Sequence, residues 1–355
     1  MIEPLDLEID VTEAAGLGEP AHIALTVHLP DPGALAQSPV VCFAKPGGGY
    51  SRGYFTCDLP GPAKGAQAAW HAARGWIFVS VDHLGVGGSS LHDGPRLDYT
   101  TLAAAAHAAE AEALRRLATG ELAADFPKVD QPLSLGIGQS MGGCMTIIQQ
   151  GRYHGYDGIG VLGYGAIHTH PPVRPGEPPI AAPWIPRDTM LKQPLVVLNP
   201  QALAEAKQHS GARGGGDAMA WGFHYDDVDP KFVAADLAHF NRGIHNQADQ
   251  KGHTAPPWNS LSTPGAVAQT CLTPGIVAPE AAAIRAPVLV AMGERDVIAD
   301  PKGEPRAYLS ARSVDLFICP RMGHMHNFAG TRELFWRRIE TWAEWVRAAK
   351  ALSLA

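Results

Sequence analysis

Short apolar runs alternate with stretches of helical periodicity along the first 165 residues. Ile23-Ala24-Leu25-Thr26-Val27 and Val40-Val41-Cys42-Phe43-Ala44 read as strands. Residues 67–73 read as a helix, with Gly75 placed to cap its C-terminus, and residues 76–81 as the next strand. The alanine-rich stretch 101–117 consists of helix formers and stops just before Gly120. Residues 133–138 form a further apolar run. It leads into 140–150, where Met141, Cys144, Met145 and Ile148 recur at helical spacing. Residues 159–163 read as one more strand. The pattern resumes near 286, with strands at 286–292 and 314–318 and a last helix whose Phe335, Ile339, Trp342 and Val346 make one apolar stripe. Strands alternating with helices predict an α/β fold, with a mostly parallel, doubly wound sheet covered on both faces.

From about 165 to 284 the alternation breaks. This stretch opens with His168-Thr169-His170-Pro171-Pro172, and short helix-like pieces at 201–209 and 231–240 are separated by loops such as Gly214-Gly215-Gly216. Structureless loops of that length are rare in compact domains. The expected organisation is therefore a core of residues 1–164 and 285–355, with 165–284 inserted as a lid. Aromatic residues such as Trp184, Trp221, Phe223, Tyr225 and Trp258 either line a pocket or pack the lid's own small core.

Composition narrows the function. At 355 residues and 46% hydrophobic, the chain is long enough for one large core with an insertion. A net charge of −7 without a basic stripe excludes nucleic acid as a partner and disfavours an anionic membrane surface. No apolar run reaches the roughly 18 residues needed to span a bilayer. The acidic start Met1-Ile2-Glu3-Pro4-Leu5-Asp6 does not read as a secretory signal. Five scattered cysteines without a CxxC pair read as small buried hydrophobes in a reducing compartment. A cytoplasmic protein with a small-molecule substrate is the expectation, and a homodimer stays open.

The chemistry centres on Gly138-Gln139-Ser140-Met141-Gly142. A bare G-x-S-x-G is weak among 39 glycines. This one follows an apolar strand and opens a helix, where a sharp turn presents the hydroxyl beside helix N-terminal amides. A serine needs a base. His324, in Gly323-His324-Met325-His326-Asn327 between the last strand and the last helix, is the candidate, with His326 its rival. The imidazole needs a carboxylate to fix its tautomer. Asp296, just past the strand at 286–292, is placed for that role, with Glu294 as the alternative. An oxyanion hole needs converging backbone amides. Met141 supplies one, and the loop Lys45-Pro46-Gly47-Gly48-Gly49-Tyr50 offers Gly48 or Gly49 for the other. Tyr50, Trp184 and Trp221 are candidate substrate contacts. The seven histidines between 168 and 253 show no HExxH and no ligand spacing, so neither a metal nor another cofactor is expected.

These motifs resemble the α/β-hydrolase superfamily over about 20–165 and 285–350. The glycine loop resembles the family's HGGG-type oxyanion loop, with Pro46 where a histidine is common. Asp82-His83-Leu84-Gly85-Val86-Gly87-Gly88-Ser89 is similar to the turn after the family's fourth strand, and the order Ser140, Asp296, His324 matches the family's order. The resemblance implies a serine nucleophile working through an acyl-enzyme. The aromatic lid favours an ester or lactone of moderate size and apolar character. A carbon–carbon bond hydrolase or an acyltransferase with the same triad is compatible, and a non-catalytic binding protein on a hydrolase scaffold is the alternative from another class.

Overall fold

The computed structural model describes residues 2–170, 172–176, 187, 220–238, 254–298 and 300–352. Trp184, residues 201–209, Gly214 to Gly216 and the end of the 231–240 piece lie outside the described residues. Eight strands form one sheet: β1 (Leu5–Asp10), β2 (His22–His28), β3 (Val40–Lys45), β4 (Ile77–Val81), β5 (Leu133–Gln139), β6 (Gly158–Leu162), β7 (Val288–Gly293) and β8 (Val314–Cys319). Their order is β1-β2-β4-β3-β5-β6-β7-β8. β2 pairs antiparallel with both β1 and β4, and the other pairings are parallel. The strands read from the pattern are all present, within two residues at either end.

β1 is the strand that the pattern reading passed over. Leu5, Leu7 and Ile9 alternate there with Asp6, Glu8 and Asp10, a half-buried edge whose acidic face meets water. The parallel strands β3 to β7 are buried on both faces, while the edge strand β8 is half-buried with Ile318 exposed. In β3, Val41 and Phe43 join one core cluster, while Val40, Cys42 and Ala44 join the other. The first cluster packs under helices Tyr99–Thr119 and Met141–Tyr153. The second packs under helix Arg332–Ala351, whose stripe Phe335, Ile339, Trp342 and Val346 is fully buried. The Asp98 side chain caps Tyr99–Thr119 by accepting from Thr101 N at 2.8 Å, and Gly120 (φ 82°) ends it in the left-handed region. No described helix is long and apolar enough to cross a membrane.

Parallel strands deliver their C-terminal loops to one edge, which is where α/β sheets form sites. β3 leads to the glycine loop, β5 to Ser140, β7 to Asp296 and β8 to His324. The insertion between β6 and β7 meets the same edge. Tyr50 and Asn259 form an antiparallel bridge, Ser51 N donates to Trp258 O (2.9 Å) and Ser260 N to Gly49 O (2.9 Å).

The turn between β5 and its helix depends on two bare Cα atoms. A Cβ on Gly138 would lie 2.1 Å from Gly142 O, and one on Gly142 would lie 2.2 Å from Lys45 O. Both are backbone atoms, so nothing yields without moving β3 or the helix. Gly142→Ala is therefore expected to lower stability by about 2 kcal/mol or more. Gly94→Ala, where a Cβ meets nothing within 4 Å, should change it by less than about 0.5 kcal/mol. Urea unfolding of the two variants checks this, and equal midpoints would contradict the steric argument.

Candidate active site

Ser140 sits between β5 and helix Met141–Tyr153 with φ 54° and ψ −122°, a conformation that a residue with a Cβ rarely adopts. The strain is held by its surroundings. Ser140 N donates to Leu162 O at the end of β6 (2.8 Å), and its carbonyl accepts from Gly143 N (2.8 Å) and Cys144 N (3.1 Å). Met141 is the first helical residue, so its N–H has no acceptor within the helix and lies at the positive end of the helix dipole. Among the described residues, Gly48 N and Gly49 N donate to no protein acceptor either. Gly47, which the sequence reading did not single out, approaches the serine closely: a Cβ there would lie 3.0 Å from Ser140 Cβ, whereas one on Gly48 would face Met141 Sδ at 3.7 Å.

The structure brings Asp296 and His324 together. His324 Nδ1 lies 2.6 Å from Asp296 Oδ1, and both side chains are buried. Asp296 also accepts from Gly293 N and Val297 N, each at 2.8 Å, and from His326 Nε2 at 2.8 Å. His326 is thus neither rival nor bystander: it shares the carboxylate. Burial opposes ionisation of Asp296, but the charge and hydrogen bonds of the two imidazoles outweigh it and hold the carboxyl well below the usual range. Burial lowers His326 in turn, outweighing the hydrogen bond and charge of Asp296. Glu294 takes no part. Its carboxylate accepts from Arg321 N (2.8 Å) on the outer side of the loop.

Ser140 and His324 line one cavity of about 300 Å³, together with residues 47–50, Gln139 and Met141. The insertion adds Phe223, Leu261 and Leu272 to its wall. The Phe223 ring centroid is 4.9 Å from that of His324. The structure does not join the serine to the imidazole by a hydrogen bond. His324 Nε2 instead faces Gln139 Nε2 at 3.3 Å.

The two expected substrate contacts within the described residues differ in placement. Trp221 is not among the cavity-lining residues and stacks against the Arg295 guanidinium, 4.9 Å from its ring centroid. Tyr50 lines the cavity, but its hydroxyl is committed to Asp236 (2.7 Å). Asp236, fully buried, accepts in addition from His224 Nε2 (2.9 Å), Trp258 Nε1 (2.9 Å) and Asn259 Nδ2 (3.4 Å). It ties the glycine loop to three segments of the insertion. From below, His83 Nε2 lies 3.0 Å from Pro46 O and pins the start of that loop.

No family model and no curated protein matches the chain. Solved structures do. A proline iminopeptidase from Mycobacterium smegmatis aligns over 98% of this chain and 100% of its own, with 15% identity and a TM-score of 0.58. An enol-lactonase from Burkholderia xenovorans aligns over 90% and 96%, with 13% identity and a TM-score of 0.53. A haloalkane dehalogenase loop variant from Bradyrhizobium elkanii aligns over 99% and 100%, with 13% identity and a TM-score of 0.54. With its sheet order and its strand-to-helix serine, the chain has the α/β-hydrolase fold, with an insertion between β6 and β7.

Burial pushes His83 down to about 4, with the hydrogen bond to Pro46 opposing it, so the ring stays neutral at pH 7. In the unfolded chain the same group takes a proton near pH 6.5. Below that value the unfolded state binds the extra proton and stability falls with pH, until the folded state also binds it near about 4. The His83 contribution to that slope approaches ~1.4 kcal/mol per pH unit. Urea unfolding between pH 7 and 5 should give a shallower decline for His83→Asn than for the unsubstituted protein. Parallel declines would contradict a buried neutral His83.

Proposed function

We propose that this chain is a serine hydrolase that cleaves a carboxylic ester or lactone through an acyl-enzyme, with a compact, uncharged acyl group. The observation that carries the reading is the strained serine at a helix N-terminus, sharing one small cavity with an imidazole already bound to a buried carboxylate. Ser140 Oγ attacks the carbonyl carbon and His324 Nε2 takes its proton. Asp296 holds the Nδ1–H tautomer and stabilises the imidazolium. The N–H groups of Met141 and Gly48 or Gly49 stabilise the tetrahedral oxyanion. The imidazolium then protonates the leaving alcohol, and water reverses the sequence to free the acid. Contact between the hydroxyl and Nε2 belongs to the substrate complex, since such hydrogen bonds are commonly long before substrate arrives.

The acyl preference rests on the cavity. Its volume of about 300 Å³ is at the small end for ligand sites. Among the described residues, no Asp, Glu, Lys or Arg lines it. A charged acyl chain would lose its water and find no partner, at a cost of several kcal/mol. The names of the iminopeptidase and the enol-lactonase, both cleaving enzymes on this fold, support hydrolysis as the reaction class.

Hydrolysis of aryl esters tests this. Acetyl and butyryl esters are expected to turn over with kcat/KM at least ~100-fold above a hemisuccinyl ester of similar length. Ser140→Ala and His324→Ala should each lose about 10⁴-fold or more. Turnover that survives Ser140→Ala would refute the reading, and a preference for the charged acyl group would refute the substrate class.

A further inference from the structure

Gln139, the variable residue inside the serine motif, has no part in the reaction described above, yet it is fully buried in the wall of the cavity. Its Nε2 donates to the backbone carbonyl of His324 at 3.0 Å and lies 3.3 Å from His324 Nε2. A backbone carbonyl only accepts, so the nitrogen end of the amide faces the histidine and the oxygen end faces away. That oxygen is buried and, among the described residues, has no hydrogen-bond partner. It lies over Gly47, where a Cβ would come within 2.5 Å of it. Leaving an amide oxygen buried and unpaired is unfavourable, so the orientation is maintained by what the nitrogen end gains at His324. Asp296 fixes the proton of His324 on Nδ1, which leaves the Nε2 lone pair facing the Gln139 N–H.

We propose that Gln139 is a positioning residue for His324. It fastens the histidine loop to the serine turn through the carbonyl of residue 324, and it donates to the Nε2 lone pair while the cavity is empty, giving up that contact to Ser140 Oγ when substrate binds. The proposal rests on the reading of Ser140 as nucleophile and His324 as base. The groups packed around the imidazole are Asp296 after β7, His326 on its own loop, Phe223 from the insertion, and Gln139 with Ser140 after β5. Of these, Asp296 and His326 are the titratable groups; both are held below their ordinary values, and neither is changed in the test.

The test is the pH profile of kcat/KM on a short neutral aryl ester for the unsubstituted protein, Gln139→Met and Gln139→Glu, with thermal melts to verify folding. Gln139→Met keeps the length and removes the donor. It should lower kcat by about tenfold with KM within about twofold, and move the acid limb of the profile upward by about half a pH unit. Gln139→Glu places a carboxylate beside Nε2, favours the imidazolium, and should move the limb upward by about one unit or more. Should the Glu variant fail to fold, the Met variant decides alone. An acid limb that stays in place while kcat/KM falls uniformly would overturn the proposal and leave Gln139 a packing residue. Ser140→Ala, assayed alongside, separates the two claims. If it is inactive while the limb is unmoved, only the positioning role fails; if it is active, the hydrolase reading fails.

Discussion

The helix that begins at Met141 comes so close to the ends of β3 and β5 that two of its neighbouring positions have no room for a side chain. Gly142 touches the carbonyl of Lys45, and Gly138 touches that of Gly142. That contact sets the distance between the serine turn and the glycine loop, so free amides from two different elements end at one cavity. The strained backbone of Ser140 follows from the same crowding. The strain is borne by hydrogen bonds on either side, from Ser140 N to β6 and from the first helical turn to the serine carbonyl. Rigidity here has a chemical use, because donors already aimed at a developing charge need no reorganisation during reaction.

Around that turn, charge is placed with few loose ends. Asp296 carries four donors, two imidazoles and two backbone amides, so it can stay ionised in a buried setting. Asp236 plays a matching structural part 186 residues from the Tyr50 it fastens, taking that hydroxyl, an imidazole, an indole and an amide. Beneath the glycine loop, Lys45 lies fully buried against Glu110 at 2.5 Å, and both also bond to the Tyr156 hydroxyl. Removing one partner from such a buried pair typically costs 3–5 kcal/mol. The insertion is therefore stitched to the site by buried polar contacts as well as by apolar packing, which makes it part of the cavity wall.

Local pattern is enough to read seven of the eight strands, because the parallel strands are largely apolar and their helices end at visible caps, whereas β1 alternates with acidic residues and escapes it. The serine turn was legible for the same reason: glycines flank it, and a strand and a helix bracket it. The placement of Asp296 and His324 followed from their positions after the last two strands. What escaped the sequence depends on distant partners. Nothing in the run Phe232-Val233-Ala234-Ala235-Asp236 signals that Asp236 meets Tyr50. Aromatic character alone suggested Trp221 as a pocket residue, whereas Arg295 holds its ring elsewhere. His326 looked like a competitor because proximity in sequence cannot show that one carboxylate has two oxygens to share. Gln139 occupied a position the motif leaves open, and only the fold brings it to His324.

The most direct test of the account is a crystal structure of the protein treated with a small fluorophosphonate. Phosphorus should be bonded to Ser140 Oγ, its phosphoryl oxygen within about 3 Å of Met141 N and of Gly48 N or Gly49 N, and His324 Nε2 turned to the serine oxygen. An adduct on another residue, or a phosphoryl oxygen aimed away from those amides, would contradict it.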